Sequence, residues 1–291
     1  MADAPEVETD APGAGALEVD ALVAALRAAG CVFAEEEAVL LREAAGSADE
    51  LAAMLARRVD GLPLEHVLGW AQLGGLRIAV EPGVFVPRRR TELLAREASA
   101  LAARAQAVAP GPAVVVDLCC GSGAVGVVVA TAVPGVELHA ADLDPVAVRC
   151  ARRNVGPLGG QVHEGDLDAP LPAALRGRVD VLVANAPYVP SEAIATMPPE
   201  ARDHEPRVSL DGGADGLDVL RRVVAAAPGW LSADGSVLVE TSRAQAPVLA
   251  AAVREAGLVP RVVHDDELGG TVVVGACPPR PHLLAGARIA H

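Results

Sequence analysis

Residues 113–126 read Ala113-Val114-Val115-Val116-Asp117-Leu118-Cys119-Cys120-Gly121-Ser122-Gly123-Ala124-Val125-Gly126. A β-branched apolar run ends beside an acid, a glycine-rich loop follows, and an apolar stretch continues beyond it. That order predicts a buried strand, a sharp turn and a helix. Glycine lets the backbone turn tightly and approach a ligand, while the free N–H groups at a helix start favour a carboxylate or phosphate. A GxGxxG alone is weak evidence, but its place between strand and helix strengthens it. Asp142 then stands near the end of the next apolar run, about 20 residues after the loop begins, where an acid can take both hydroxyls of a ribose.

Working outward, strand-like runs at 113–118, 137–141, 162–164, 179–184, 236–240, 259–264 and 271–276 alternate with helical stretches. The alternation predicts a doubly wound, mostly parallel α/β sheet with right-handed crossovers. The last two runs, joined by 265–270, read as an antiparallel hairpin. Such an ending resembles the class I S-adenosylmethionine-dependent methyltransferase fold more than a dinucleotide-binding dehydrogenase. Asp166, in Glu164-Gly165-Asp166-Leu167 after the third strand, fits the same reading, because its oxygen could accept a hydrogen bond from an adenine amino group. The uncharged stretch 118–136 is nearly long enough to span a bilayer, yet its glycines and Pro134 argue for strand, loop and helix instead.

Upstream, Leu22, Leu26 and Ala29, then Val39 and Leu40, then Leu51, Met54 and Leu55 recur at helical spacing and predict three short helices. Ser47 and Glu50 form a capping-box pattern before the third. Gly30 and Gly46 sit where the first two should stop. Between Trp70 and Arg90 the pattern shifts to Leu76, Ile78 and Val80, then Val84 and Val86, with Glu81-Pro82-Gly83 as the turn of an expected β-hairpin. The division read from these signals is an acidic disordered tail (1–16), a helical domain (17–69), a hairpin linker (70–92), a catalytic α/β domain (93–277) and an irregular tail (278–291).

The fourth strand ends in Asn185-Ala186-Pro187-Tyr188, at the same carboxyl edge of the sheet as the glycine loop. An amide or ring-amine nitrogen is a poor nucleophile because its lone pair is delocalised, so a catalyst must hold it in line with an electrophilic methyl group. The Asn185 side-chain carbonyl and the Ala186 backbone carbonyl can accept its two N–H bonds. Tyr188, the only tyrosine of the chain, can stack on the planar acceptor, and Pro187 stiffens the turn.

Composition sets the outer limits. With 52% hydrophobic, 21% charged and 2% aromatic residues, the chain is globular with an aliphatic core. A net charge of -14 repels phosphate backbones and disfavours direct nucleic-acid binding. Five cysteines without a CxxC, two of them adjacent, read as reduced thiols of a cytoplasmic protein rather than a disulfide or zinc framework. The seven histidines lack metal-ligand spacing, so no metal is expected. The acidic first twenty residues are the opposite of a targeting peptide. Arg88-Arg89-Arg90 reads as a solvated linker, and Glu205 as a structural acid or one near the acceptor.

With those residues in hand, the chain resembles the N(5)-glutamine methyltransferases of peptide-chain release factors over roughly 17–276. Beyond the glycine loop, the likeness rests on Gly61-Leu62-Pro63-Leu64 with Val67-Leu68-Gly69, Phe85-Val86-Pro87-Arg88 with Thr91-Glu92, Ala151 to Asn154, and Asn185 to Pro190. It continues through Glu205-Pro206, Leu210 to Gly213 and Asp215-Gly216-Leu217. The resemblance implies that S-adenosylmethionine is held by Cys119, Cys120, Gly121, Ser122, Gly123 and Asp142, with Asp166, Leu167 and Asn185 completing its site. It implies that Asn185, Ala186, Pro187 and Tyr188 bind a glutamine amide, and that the helical region docks the protein substrate, a release factor or a ribosomal protein. A nucleic-acid adenine or cytosine methylase is the competing reading, since a related tetrapeptide serves those amines. The chain departs from the family at Ala186, usually proline, at Cys119 and Cys120, usually small residues, and at Leu167, where an aromatic can stand.

Overall fold

The structure, a computed structural model, describes residues 14–279. Most of the expected acidic tail, and the tail beyond Pro279, lie outside the described residues. The first helix, α1 (Ala14–Ala28), is followed by α2 (Ala34–Ala44), α3 (Ala48–Val59) and the short α4 (Leu64–Leu68). The fourth was not legible as a helix: it has five residues, entered through Pro63 and closed by Gly69 in the left-handed region at φ 80°. Ser47 caps α3 as expected, while Glu50 reaches back one residue further, to Gly46 N rather than Ser47 N. Ser47 Oγ accepts from Glu50 N at 3.2 Å, and Glu50 Oε2 accepts from Gly46 N at 2.8 Å. Leu22, Leu26, Ala38, Leu41 and Met54 form a separate small core. Beside it the buried Arg58 gives two hydrogen bonds to Glu37, at 2.6 and 3.0 Å, and reaches Glu200 at 2.8 Å.

The hairpin forms in a different register from the one expected. Its strands are β1 (Trp70–Leu73) and β2 (Leu76–Ala79), joined by Gly74-Gly75, a pair suited to the mirror-image turns that match strand twist. Glu81-Pro82-Gly83 does turn the chain, with Val84 N donating to Glu81 O at 3.1 Å, but residues 85–88 then run on without a strand partner. After a single 3-10 turn (Arg89–Thr91) comes α5 (Glu92–Val108).

The remaining elements are β3 (Val114–Leu118), α6 (Ala124–Ala132), β4 (Glu137–Asp142), α7 (Pro145–Val155), β5 (Gln161–Glu164), β6 (Val179–Ala184), α8 (Pro199–His204), α9 (Asp218–Ala226), β7 (Leu231–Glu240), α10 (Ala246–Glu255), β8 (Val259–Asp265) and β9 (Gly270–Ala276). Seven strands pair in the order β5-β4-β3-β6-β7-β9-β8. The pairs up to β6–β7 are parallel, and β7–β9 and β8–β9 are antiparallel. The class I methyltransferase fold with its closing hairpin is therefore borne out. Alternation along the strands explains the two layers. Val116, Leu118, Leu182 and Val239 pack with α9 and α10, while Val115, Val181, Val183 and Leu238 pack with α5 and α6. No helix among the described residues is long and apolar enough to cross a membrane.

Trp230 anchors the first layer. It is 2% exposed, its indole N–H donates to Asp168 at 2.9 Å, and Arg176 lies over its ring at 4.2 Å. Trp230→Ala should cost about 3–5 kcal/mol, read from denaturant midpoints at unchanged slope.

Candidate active site

The strand order reverses between β3 and β6, and ligands of doubly wound sheets gather at the carboxyl ends of strands beside such a switch. A cavity of about 520 Å³ opens there, within the range of about 300–1,000 Å³ of small-molecule sites. Cys119, Cys120, Gly121, Ser122, Asp142, Asp166, Leu167, Asn185 and Pro187 all line it. Gly123 and Ala186 do not contribute side-chain wall: Gly123 caps α6, and Ala186 is 1% exposed in the core.

The glycine loop is held from three sides. Asp142 Oδ2 accepts from Gly121 N at 2.8 Å and Oδ1 from Asp144 N at 2.9 Å. Burial pushes the Asp142 carboxyl up, and those N–H donors oppose it. Asn154 donates to Ser122 O and to Ala79 O, both at 2.8 Å, and accepts from Ala79 N at 3.0 Å, so the loop is tied to β2. Gly123 has φ 76°, and a Cβ there would meet Val155 Cγ2 at 2.7 Å. Ser122 Oγ is buried without a partner in a wall of the cavity, leaving a polar atom for a ligand. Cys119 and Leu167 are the only non-glycine residues at positive φ among those described, 53° and 50°. Each such position costs about 1–3 kcal/mol, and both line the cavity. Burial pushes the Cys119 thiol up, which keeps it protonated and unreactive. At the rim Asp166 accepts from Arg222 at 2.7 Å, so one of its oxygens is already engaged.

Asp117, buried at the end of β3, accepts from Gly126 N at 2.9 Å. Burial raises its carboxyl from an ordinary 3.8 to about 7. A proton that the unfolded chain releases near pH 4 is thus kept in the fold until about pH 7. Stability should fall as pH rises through that window, by at most about 1.4 kcal/mol per pH unit. Asp117→Asn should flatten that portion of the pH–stability curve, measured by urea unfolding without added ligand.

On the acceptor side, Asn185 Nδ2 donates to Thr91 Oγ1 at 3.3 Å. Tyr188 turns away from the 520 Å³ cavity and lines a second one of about 360 Å³ with Arg90, Thr241 and Ser242. Its hydroxyl donates to Glu240 at 3.0 Å and accepts from Arg90 Nε at 2.8 Å, and Arg90 reaches the same Glu240 oxygen at 3.2 Å. Behind it, a Cβ on Gly216 (φ 77°) would lie 2.3 Å from Tyr188 O, so only glycine lets that loop close on the tetrapeptide. Gln245 Nε2 also donates to Tyr188 O at 3.0 Å.

The arginine run is not a solvated linker. Arg88 pairs with the buried Glu205 at 2.5 Å and the partly exposed Arg90 with the buried Glu240, while Arg89 is the most exposed of the three. Buried carboxylates need such partners, and theirs lie far along the chain. Glu205 also accepts from Val86 N at 3.2 Å, which fixes the linker and the turn at 206–209 that lines the cavity. Thr91, Asn154, Arg222 and Glu240 also contact this region and carry no individual signal in the sequence, and Arg90 reads there only as part of a solvated run. For Thr91 and Asn154 the only signal was membership in matched segments.

A family profile described as Methyltransferase small domain matches residues 76–198. Over 232 residues the chain is 36% identical to the Release factor glutamine methyltransferase of Geobacter sulfurreducens, covering 78% of each. It is 39% identical over 192 residues to the Ribosomal protein uL3 glutamine methyltransferase of Bordetella pertussis, covering 64% of this chain and 62% of the other. A crystal structure of a methyltransferase from Pyrococcus furiosus shares the fold, with a TM-score of 0.51 and 14% identity over 78% of this chain and 100% of that one. Identity of this order over more than three quarters of both chains goes beyond a common sheet, and the chain belongs to the release factor glutamine methyltransferase family.

Proposed function

We propose that the chain transfers a methyl group from S-adenosylmethionine to the side-chain amide nitrogen of a glutamine in a protein, the Gly-Gly-Gln loop of a peptide-chain release factor. The observation that carries this reading is Asn185, whose amide is held by Thr91 at the wall of the cavity that the glycine loop and Asp142 also line. Ser122, with its unpartnered hydroxyl, and the volume of the cavity fit the cofactor. Asp142 would take the ribose hydroxyls, Asp166 and Leu167 the adenine, and the loop at 119–123 the amino-acid portion. When bound, S-adenosylmethionine supplies a methyl group on a cationic sulfur.

The chain's own residues supply position. Asn185 Oδ1 and the Ala186 carbonyl would accept the two N–H bonds of the glutamine amide, so that its lone pair points along the reaction axis. The methyl group would pass from sulfur to this nitrogen, which would then release its proton to solvent, so no strong base among the chain's residues is required. The net charge of -14 argues against a polynucleotide acceptor.

The test is incubation of the purified protein with S-adenosylmethionine and candidate release factors or ribosomal proteins, followed by peptide mass spectrometry. A methylated glutamine in the Gly-Gly-Gln loop is the expected result. A ribosomal-protein glutamine modified in preference would reassign the substrate, and methylation of nucleic acid alone would overturn the reading.

A further inference from the structure

Glu240 ends β7, is 1% exposed, and stands outside the cofactor cavity. A buried carboxylate is costly unless it is paired and hydrogen-bonded, yet nothing in a simple strand ending requires one. Its Oε1 receives the Tyr188 hydroxyl at 3.0 Å and Arg90 Nε at 3.2 Å. Its Oε2 makes no hydrogen bond of its own. Burial pushes the Glu240 carboxyl up, and its Arg90 and Tyr188 partners oppose that rise.

Arg90 and Thr91 are consecutive in the 3-10 turn that closes the linker, and each meets one end of the acceptor tetrapeptide. Arg90 donates to the Tyr188 hydroxyl at 2.8 Å, and Thr91 accepts from Asn185 Nδ2 at 3.3 Å. A primary amide is nearly symmetric in shape, so packing alone does not choose which end faces a ligand; a hydrogen-bond partner does. The Arg90 bond to Glu240 holds the turn that carries Thr91, and the Thr91 oxygen accepts from Nδ2. That turns Oδ1 toward the acceptor.

We propose that Glu240 is a positioning residue for methyl transfer: from the end of β7 it clamps the Tyr188 hydroxyl and the Arg90–Thr91 turn, and through Thr91 sets which end of the Asn185 amide meets the acceptor nitrogen. The proposal rests on the glutamine reading above for its acceptor, but the clamp can be read without any substrate.

The experiment exploits the single tyrosine. Protein carrying tyrosine labelled with carbon-13 at the ring carbon bearing the hydroxyl gives one NMR resonance, that of Tyr188. Glu240→Gln, which keeps the shape and removes the charge, should shift this resonance and lower kcat by about 10- to 100-fold. The calorimetric Kd for S-adenosylmethionine should stay within about threefold. Thr91→Val should lower kcat comparably without moving the cofactor Kd, and Thr91→Ser should restore most of the loss, since it returns the hydroxyl. The Thr91 pair leaves no buried charge unpaired, so it decides the matter should Glu240→Gln not fold.

An unmoved Tyr188 resonance with kcat within about twofold of wild type in Glu240→Gln would overturn the proposal. So would equal loss in Thr91→Val and Thr91→Ser, or loss that follows cofactor Kd. Should wild type fail to methylate a release factor while the resonance shifts as expected, the substrate assignment falls and the clamp stands.

Discussion

Asn185→Ala should lower the single-turnover rate of methyl transfer by roughly 10²- to 10³-fold while cofactor Kd changes by less than about threefold. The expectation follows from where the two ends of the amide lie. Nδ2 is held by Thr91 at 3.3 Å, and the residue lines the cavity. Alanine therefore removes the oxygen that would align the acceptor and leaves Asp142, Gly121 and Ser122 in place for the cofactor. Misplacing a weak nucleophile costs rate rather than binding, since an amide lone pair is reactive only when aimed. Rapid-quench transfer assays beside calorimetry separate the two quantities. A Kd that weakened as much as the rate would move Asn185 to the cofactor wall, and a rate within about fivefold of wild type would end its role in alignment.

Much of this site could be read along the chain because its signals are local. A strand buried on both faces must be apolar at every position, and β3 and β6 are so except at Asp117 and Asp180. The first sits beneath the glycine loop. The second accepts from Val114 N at 2.9 Å and from the Ser232 hydroxyl at 2.8 Å, a use of polarity no window of sequence could anticipate. The arginine run shows the limit plainly. Arg88 and Arg90 look solvated because their partners, Glu205 and Glu240, lie 117 and 150 residues away. For the same reason Val84 and Val86 look like half of a hairpin: they are apolar and alternate, but Val86 N is spent on Glu205 rather than on a strand. The strained backbone at Cys119 and Leu167 is also silent in the sequence, since neither residue type favours positive φ. Local pattern gave elements and motifs, and long-range pairing of charge decided how the linker holds the acceptor tetrapeptide.

Asp142→Ala should do the reverse of Asn185→Ala, weakening cofactor binding by about 10²-fold or more while kcat at saturating cofactor falls much less. Hydrogen bonds to a charged group contribute about 1.5–3 kcal/mol each, and two ribose hydroxyls would be lost together. The loop loses support as well, because the same carboxylate accepts from Gly121 N and Asp144 N. Asp142→Asn separates these contributions. Its single amide oxygen can serve only some of those donors, so its Kd should fall between wild type and alanine. The pH dependence has a definite sign. Burial raises this carboxyl above its ordinary value, and the protonated form is the poorer acceptor, so wild-type affinity should decline as the solution is acidified, and in Asp142→Asn this dependence should vanish. Calorimetric titration of wild type and both variants across pH tests all three expectations. An alanine variant with wild-type affinity would remove Asp142 from the ribose, whereas a variant that lost affinity and kcat in equal measure would mean that the carboxylate holds the glycine loop in the geometry that transfer itself requires.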